Sequence, residues 1–221
     1  MVKGLSIIST VDVVLLTLRD GRLNVVLLKR LRDPFKARLA LPGAFIYPEE
    51  DVDAIAAARR MLLDKTGIVS PYLEQLYTFT GDARDPRGWS ISVAHYALVD
   101  ADSLMQNAKE GVVLLPVDEL PGLPFDHNRI IDVAVKRVRN KSTYSTLPCY
   151  LLAKEFTLGE LQKTYEQVLD VRLDKSQFRR RVAEWSFIEE IPGAVKGGTH
   201  RPAQLYRIGT NRPLELFDRT V

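Results

Sequence analysis

Along the chain, the hydrophobic positions change period several times, and each change predicts an element. Val11 to Leu18 and Leu23 to Leu28 are runs of branched and leucine side chains separated by Asp20-Gly21, a dipeptide suited to a two-residue hairpin turn. Leu39 to Ile46 contains Pro42-Gly43 and reads as a short strand entering a turn. Asp51 to Lys65 opens on acidic residues, is rich in alanine and stops at Gly67, the pattern of a capped helix. Leu73 to Phe79 and Ser90 to Val99 predict further strands, and Gly81 to Gly88 between them predicts a charged loop. Asp126 to Arg139 predicts a helix, and the polar stretch Asn140 to Thr146 suits a linker. This order lacks regular strand–helix–strand alternation, so it predicts a mixed sheet with helices on its faces, ending near 140–148.

Past that boundary the pattern is different. Thr157 and Glu160 form a capping box ahead of a helix whose Leu158, Leu161, Tyr165 and Val168 share one face, ending near Asp170. Asp174 caps a second helix from Lys175 to about Trp185, with Phe178, Val182 and Trp185 as its apolar stripe. Ser176, Gln177, Arg179 and Arg180 project away from that stripe, flanked by Lys175 and Arg181. Such a face suits major-groove reading, since arginine grips guanine and glutamine grips adenine, although a solvated basic face has the same composition. Phe187 to Ile191 and Gln204 to Ile208 predict two strands joined by the basic tip Pro192 to Pro202. That arrangement predicts a wing on which Lys196, Thr199, His200 and Arg201 meet DNA.

Charge sharpens the division. Basic and acidic residues balance over 1–140, so the whole net charge of +3 falls in 141–221 and favours a polyanionic partner there. A single cysteine, Cys149, rules out an intramolecular disulfide framework and sits in an apolar run that predicts burial. The run Leu5 to Leu18 is broken by Asp12 and lacks a basic leader and cleavage site, so it predicts a core strand rather than a signal peptide. The expected compartment is the cytoplasm, with no membrane contact.

Leu41-Pro42-Gly43-Ala44-Phe45, the following helix and Thr66-Gly67-Ile68 resemble the Nudix box. Val26 to Arg30 with Pro34-Phe35 resembles the strand before that box, while Tyr72 to Phe79 and Arg84 to Gly88 resemble the branch preferring ADP-ribose. The resemblance implies a helix bearing Arg-Glu and then paired glutamates that hold magnesium against a diphosphate. Those positions are Arg60-Met61 and Asp64-Lys65 here, and the box is about two residues longer than the pattern before the helix. A thioether and a cation replace two ligands, so no metal site and no catalytic residues are expected. Glu49, Glu50, Asp51 and Asp53 are the only substitutes at hand, and acidic residues also favour a helix N-terminus for its own sake. The lineage implies an effector pocket for ADP-ribose or a related adenine dinucleotide. Its expected residues are Arg30, Arg38, Gly43, Ala44, Phe45, Arg60, Asp64, Arg84 and Arg87.

Across both parts the chain resembles the NrtR family of Nudix-related transcriptional regulators, through Phe156 to Gln167, Leu173 to Val182 and Arg201 to Arg207. The resemblance implies an α+β chain: a Nudix-like α/β/α sandwich over 1–143 and a winged helix-turn-helix over 144–221. It further implies a homodimeric repressor of NAD metabolism that binds a palindromic operator in double-stranded DNA, senses a nucleotide and needs no cofactor. A sugar-responsive regulator, an active magnesium-dependent ADP-ribose pyrophosphatase and a winged helix used for protein contact are the rival readings.

Overall fold

The computed structural model describes residues 7–197, 202–209 and 214–217. Strands β1 (Ile8–Arg19) and β2 (Arg22–Lys29) form the expected hairpin. Asp20 and Gly21 both take positive φ, 52° and 79°, as a type I′ turn requires. Pro42 splits the next segment into β3 (Leu39–Ala40) and β4 (Gly43–Phe45). Helix α1 (Ala54–Thr66) is capped by the Asp53 carboxylate at one end and by Gly67 in the left-handed region at the other. It begins three residues later than its acidic start suggests, because Asp51 is drawn out of the helix into contacts described below. Strands β5 (Tyr72–Gly81) and β6 (Ser90–Leu98), helix α2 (Ala101–Asn107), β7 (Val112–Pro116) and α3 (His127–Ser142) complete the first domain.

The sheet runs β3-β2-β1-β6-β5, with β4 pairing β1 and β7 pairing β2. The β1–β6 pair is parallel and the rest antiparallel, which makes the sheet mixed. Strict alternation on β1 builds two cores at once. Val11, Val13 and Leu15 pack with Ala57, Met61 and Leu62 of α1, whereas Val14 and Leu16 pack with Ile130, Ile131 and Ala134 of α3. The result is an α/β/α sandwich.

A 3-10 turn (Leu147–Leu151), β8 (Glu155–Phe156), α4 (Leu158–Leu169), α5 (Lys175–Val182), β9 (Ile188–Lys196) and β10 (Ala203–Ile208) form the second domain. The capping box of Thr157 and Glu160 closes in both directions. Phe156, Leu161, Tyr165, Phe178, Val182 and Phe187 form its core, with β8, β10 and β9 as a three-stranded sheet. Cys149 lies in this core, and burial pushes its thiol up to about 12, so it serves as a small apolar side chain.

Three expectations change. Strand β9 runs on to Lys196, so much of the expected wing tip is hairpin, and α5 ends three residues short of Trp185. The polar stretch 140–146 is no free linker. Asn140 to Ser142 belong to α3, while Ser145 and Thr146 are buried. Thr146 exchanges hydrogen bonds with Glu215, Phe217 donates to the Tyr144 carbonyl, and the Tyr165 hydroxyl donates 2.9 Å to the Ser145 carbonyl. Val168 of α4 packs with Val138, Leu147 and Leu151 in the same core that holds the α3 face of the sheet. The two domains therefore share a continuous apolar seam.

Candidate effector pocket and DNA-reading face

The turn at Pro42-Gly43 is the centre of the first site. Gly43 pairs with Asp12 of β1, and a Cβ there would lie 2.1 Å from the Asp12 Oδ1 and 3.1 Å from the Val11 carbonyl oxygen. Only glycine fits so close an approach. Asp12 is itself buried: Ser92 donates 2.6 Å to its Oδ2, Arg84 lies 3.6 Å away and His127 3.7 Å. His127 Nδ1 accepts the Leu41 N–H at 3.0 Å, which leaves the proton on Nε2 facing Asp12. Burial lowers the His127 pKa and keeps the ring neutral.

Around this turn the cations are arranged in two ways. Some are tied to carboxylates. Arg60 forms a two-pronged bond to Asp51 at 2.6 and 2.7 Å and stacks over Tyr47, holding Asp51 below the usual carboxylate range. Arg87 grips Asp85 at 2.6 and 3.0 Å and lies over the Phe45 ring. Arg84 is a buried strut, bonded to Asp126 at 2.9 and 3.1 Å and to Ser90 at 3.2 Å. Others donate to backbone carbonyls. Arg30 donates 2.7 Å to the Pro34 carbonyl and stacks over Phe125, and Arg38 donates to the Gly122 carbonyl. Lys65 donates to the Gly43 carbonyl. Burial lowers the pKa of Arg30 and of Lys65; Arg87 repels the first and Arg30 and Arg60 repel the second, while Asp12 opposes the shift of both.

The expected effector residues therefore separate. Arg30, Gly43, Ala44, Phe45, Arg60 and Arg87 gather at one mouth, with Phe45 partly open to solvent. Arg84, expected as a ligand residue, is buried, and its fork is engaged by Asp126, Ser90 and Asp12. Arg38 is held away at Gly122, and Asp64 is exposed, its carbonyl accepting from Lys109. Sequence reasoning missed Asp12 and His127 as the foundations of the turn. The signal for Asp12 was present, because one carboxylate interrupts an otherwise apolar strand.

The magnesium of Nudix hydrolases does not fit these residues. Met61 is buried in the α1 core, and the Lys65 ammonium sits on Gly43. Asp53 caps α1, while Asp51 and Glu50 face Arg60, Glu50 at 3.7 Å. Among the described residues no group of three or more His, Cys, Asp or Glu is placed to hold a metal.

The second site is the exposed side of α5. Phe178 and Val182 anchor the helix, whereas Lys175, Ser176, Gln177, Arg179 and Arg180 are all exposed, and Asp174 caps the start through Gln177 N–H. Among the described residues none of its cations is ion-paired, so this face keeps its charge for a partner. Lys196 behaves otherwise: its ammonium pairs with Glu160 at 2.6 Å and ties the base of the wing to the start of α4. Thr199, His200 and Arg201 lie outside the described residues.

The Nudix domain model matches residues 8–137, and the model for the NrtR DNA-binding winged helix domain matches 148–208. The chain is 41% identical over 203 residues to the ADPR responsive transcriptional repressor NtrR of Acinetobacter baylyi, covering 90% of this chain and 80% of that protein. The chain belongs to the NrtR family of Nudix-related transcriptional regulators. Its fold is similar to that of Shewanella oneidensis NrtR complexed with a 27mer DNA, with a TM-score of 0.85 and 34% identity over 96% of this chain and 98% of that one. The Nudix domain of the same Shewanella protein complexed with ADP ribose is 36% identical, with a TM-score of 0.54 over 60% of this chain and 89% of that one. Membership of the NrtR family places both sites on a regulator's architecture. No helix of the described residues is long and apolar enough to cross a membrane.

Proposed function

We propose that this chain is a cytoplasmic transcriptional repressor of NAD metabolism that binds operator DNA through α5 and its wing. In this reading its Nudix domain senses ADP-ribose, or a close adenine dinucleotide, without hydrolysing it. The carrying observation is the unpaired face of Lys175, Ser176, Gln177, Arg179 and Arg180, presented by a helix whose other side is locked in a core. Two such helices in a homodimer meet two half-sites of a palindrome, with Thr199, His200 and Arg201 adding contacts from the wing. The domains divide at about residue 143, and the shared seam around Val168 conveys occupancy of the first to the orientation of the second.

The ADP-ribose reading draws support from the relatives' own descriptions and from the cation-rich mouth at Gly43. The absence of hydrolysis draws support from Met61 and Lys65, which occupy ligand positions without donating to a metal. A mobility shift on the gene's own upstream DNA, with and without ADP-ribose, tests the regulator. No complex at moderate salt overturns it, and AMP release from ADP-ribose with magnesium overturns the non-hydrolytic sensor.

A further inference from the structure

The cations at the Gly43 mouth divide into those in contact with a carboxylate and those that are not. Asp51 compensates Arg60, Asp85 compensates Arg87, and Asp12 with Asp126 compensates Arg84. Arg30 and Lys65 have no such partner; among the described residues neither is ion-paired, and each donates to a backbone carbonyl, Arg30 also stacking over Phe125. Burial disfavours the charged form of both, and for Lys65 the repulsion from Arg30 and Arg60 is opposed by Asp12. A partly desolvated cation held only by a carbonyl oxygen gains from a matching anion. A nucleotide diphosphate diester carries one negative charge on each phosphate and so offers each of these two donors a charged acceptor.

Lys65 gives the match a second meaning. It stands where the Nudix pattern places a metal-binding glutamate, and its ammonium is turned in towards the Gly43 turn although the residue as a whole is exposed. A divalent ion brought within ~4 Å of that ammonium meets a repulsion of about 8 kcal/mol at an effective dielectric of 20, twice the value for two unit charges. A diphosphate at the same distance meets attraction instead.

Resting on the ADP-ribose reading, we propose that the Lys65 ammonium takes the place of the hydrolases' magnesium. With Arg30 it neutralises the effector's diphosphate, so that effector binding requires no metal. The attraction that a hydrolase recruits from solution is thus built into the chain, while no metal-bound water is generated. Sensing in this protein is then independent of free magnesium.

Calorimetric titration of the full chain with ADP-ribose, in EDTA and in excess magnesium, tests this. The expected result is a dissociation constant that agrees within about twofold between the two conditions. Lys65→Met weakens binding roughly ten- to a hundredfold with magnesium giving no rescue, the range for losing one charge-assisted contact. Lys65→Arg retains most of the affinity, and Lys65→Glu is weak in EDTA and regains affinity with magnesium. Melting temperatures of the unliganded variants check that each is folded. Wild-type binding that appears only with magnesium overturns the proposal while leaving the ADP-ribose reading intact, and so does undiminished binding by Lys65→Met. Failure of the wild type to bind in either condition overturns both.

Discussion

Removing Arg179 and Arg180 together, as Arg179→Ala with Arg180→Ala, is a quantitative probe of the reading face. Both side chains are exposed on α5 and ion-paired to nothing among the described residues, so their truncation leaves the folded state within about 0.5 kcal/mol. Their effect on DNA binding follows from counterion release. Each phosphate neutralised on duplex DNA contributes ~0.9 to the slope of log affinity against log salt. If both arginines meet phosphates, the slope falls by ~1.8 for one half-site and by ~3.6 for the two half-sites of a dimer. If one of the pair grips guanine instead, the slope falls by about half as much, and a mismatch at that base no longer costs its ~1–3 kcal/mol. Fluorescence anisotropy on the chain's upstream DNA, from roughly 50 to 200 mM salt, reads slope and affinity together. An unchanged slope with unchanged affinity refutes the placement of DNA on α5, and a slope change of ~1.8 with base discrimination intact refutes the dimer.

Restoring the missing glutamate by Met61→Glu buries a carboxylate among Ala57, Ala58 and Leu62. Urea unfolding then shows a loss of about 3–5 kcal/mol, and no loss means that Met61 is not committed to the core. Tyr165→Phe removes the hydrogen bond to the buried Ser145 carbonyl across the joint and costs about 1–3 kcal/mol in the same measurement. Gly43→Ala drives a methyl into Asp12, which Ser92 and Arg84 hold in place; it costs about 1–3 kcal/mol and abolishes ADP-ribose binding in calorimetry. Burial holds His127 and His95 below the ordinary imidazole value, so the unfolded chain binds protons that the native one refuses. Stability therefore falls as pH drops below about 6.5, by up to about 1.4 kcal/mol per pH unit for each ring, and denaturant midpoints at pH 7.5 and 5.5 measure it.

What could be read from the residues in order was local. The Asp20-Gly21 turn, the Gly67 stop and the Thr157–Glu160 box each act within a few positions, and each forms as its spacing predicts. The exposed face of α5 was legible for the same reason, since a stripe at helical spacing decides which side is free. What was missed depends on distant partners. Arg84 resembles a ligand arginine in its loop, yet its environment is set by Asp126, Ser90 and Asp12, which the fold brings from three other elements. Ser145 and Thr146 look like linker residues because their hydrogen-bonding partners, Tyr165 and Glu215, lie far along the chain. Strand β7 carries five half-buried residues that lack a strong period, and its pairing with β2 rather than its composition defines it. Lys65 is the instructive case. Its charge predicted a failed metal site, but only the direction of its ammonium shows where that charge is spent.

The seam at Val168 bears on how the protein is made. The α3 side of the sensor's core includes Val168 from α4 and packs against Leu214, close to the chain's end. During synthesis the sensor emerges first, yet that core lacks these pieces until most of the DNA-reading domain has left the ribosome. A chain that stops before α4 therefore leaves the apolar face of α3 partly uncovered. The α3-side core of the first domain and helix α4 of the second are thus completed together rather than in turn.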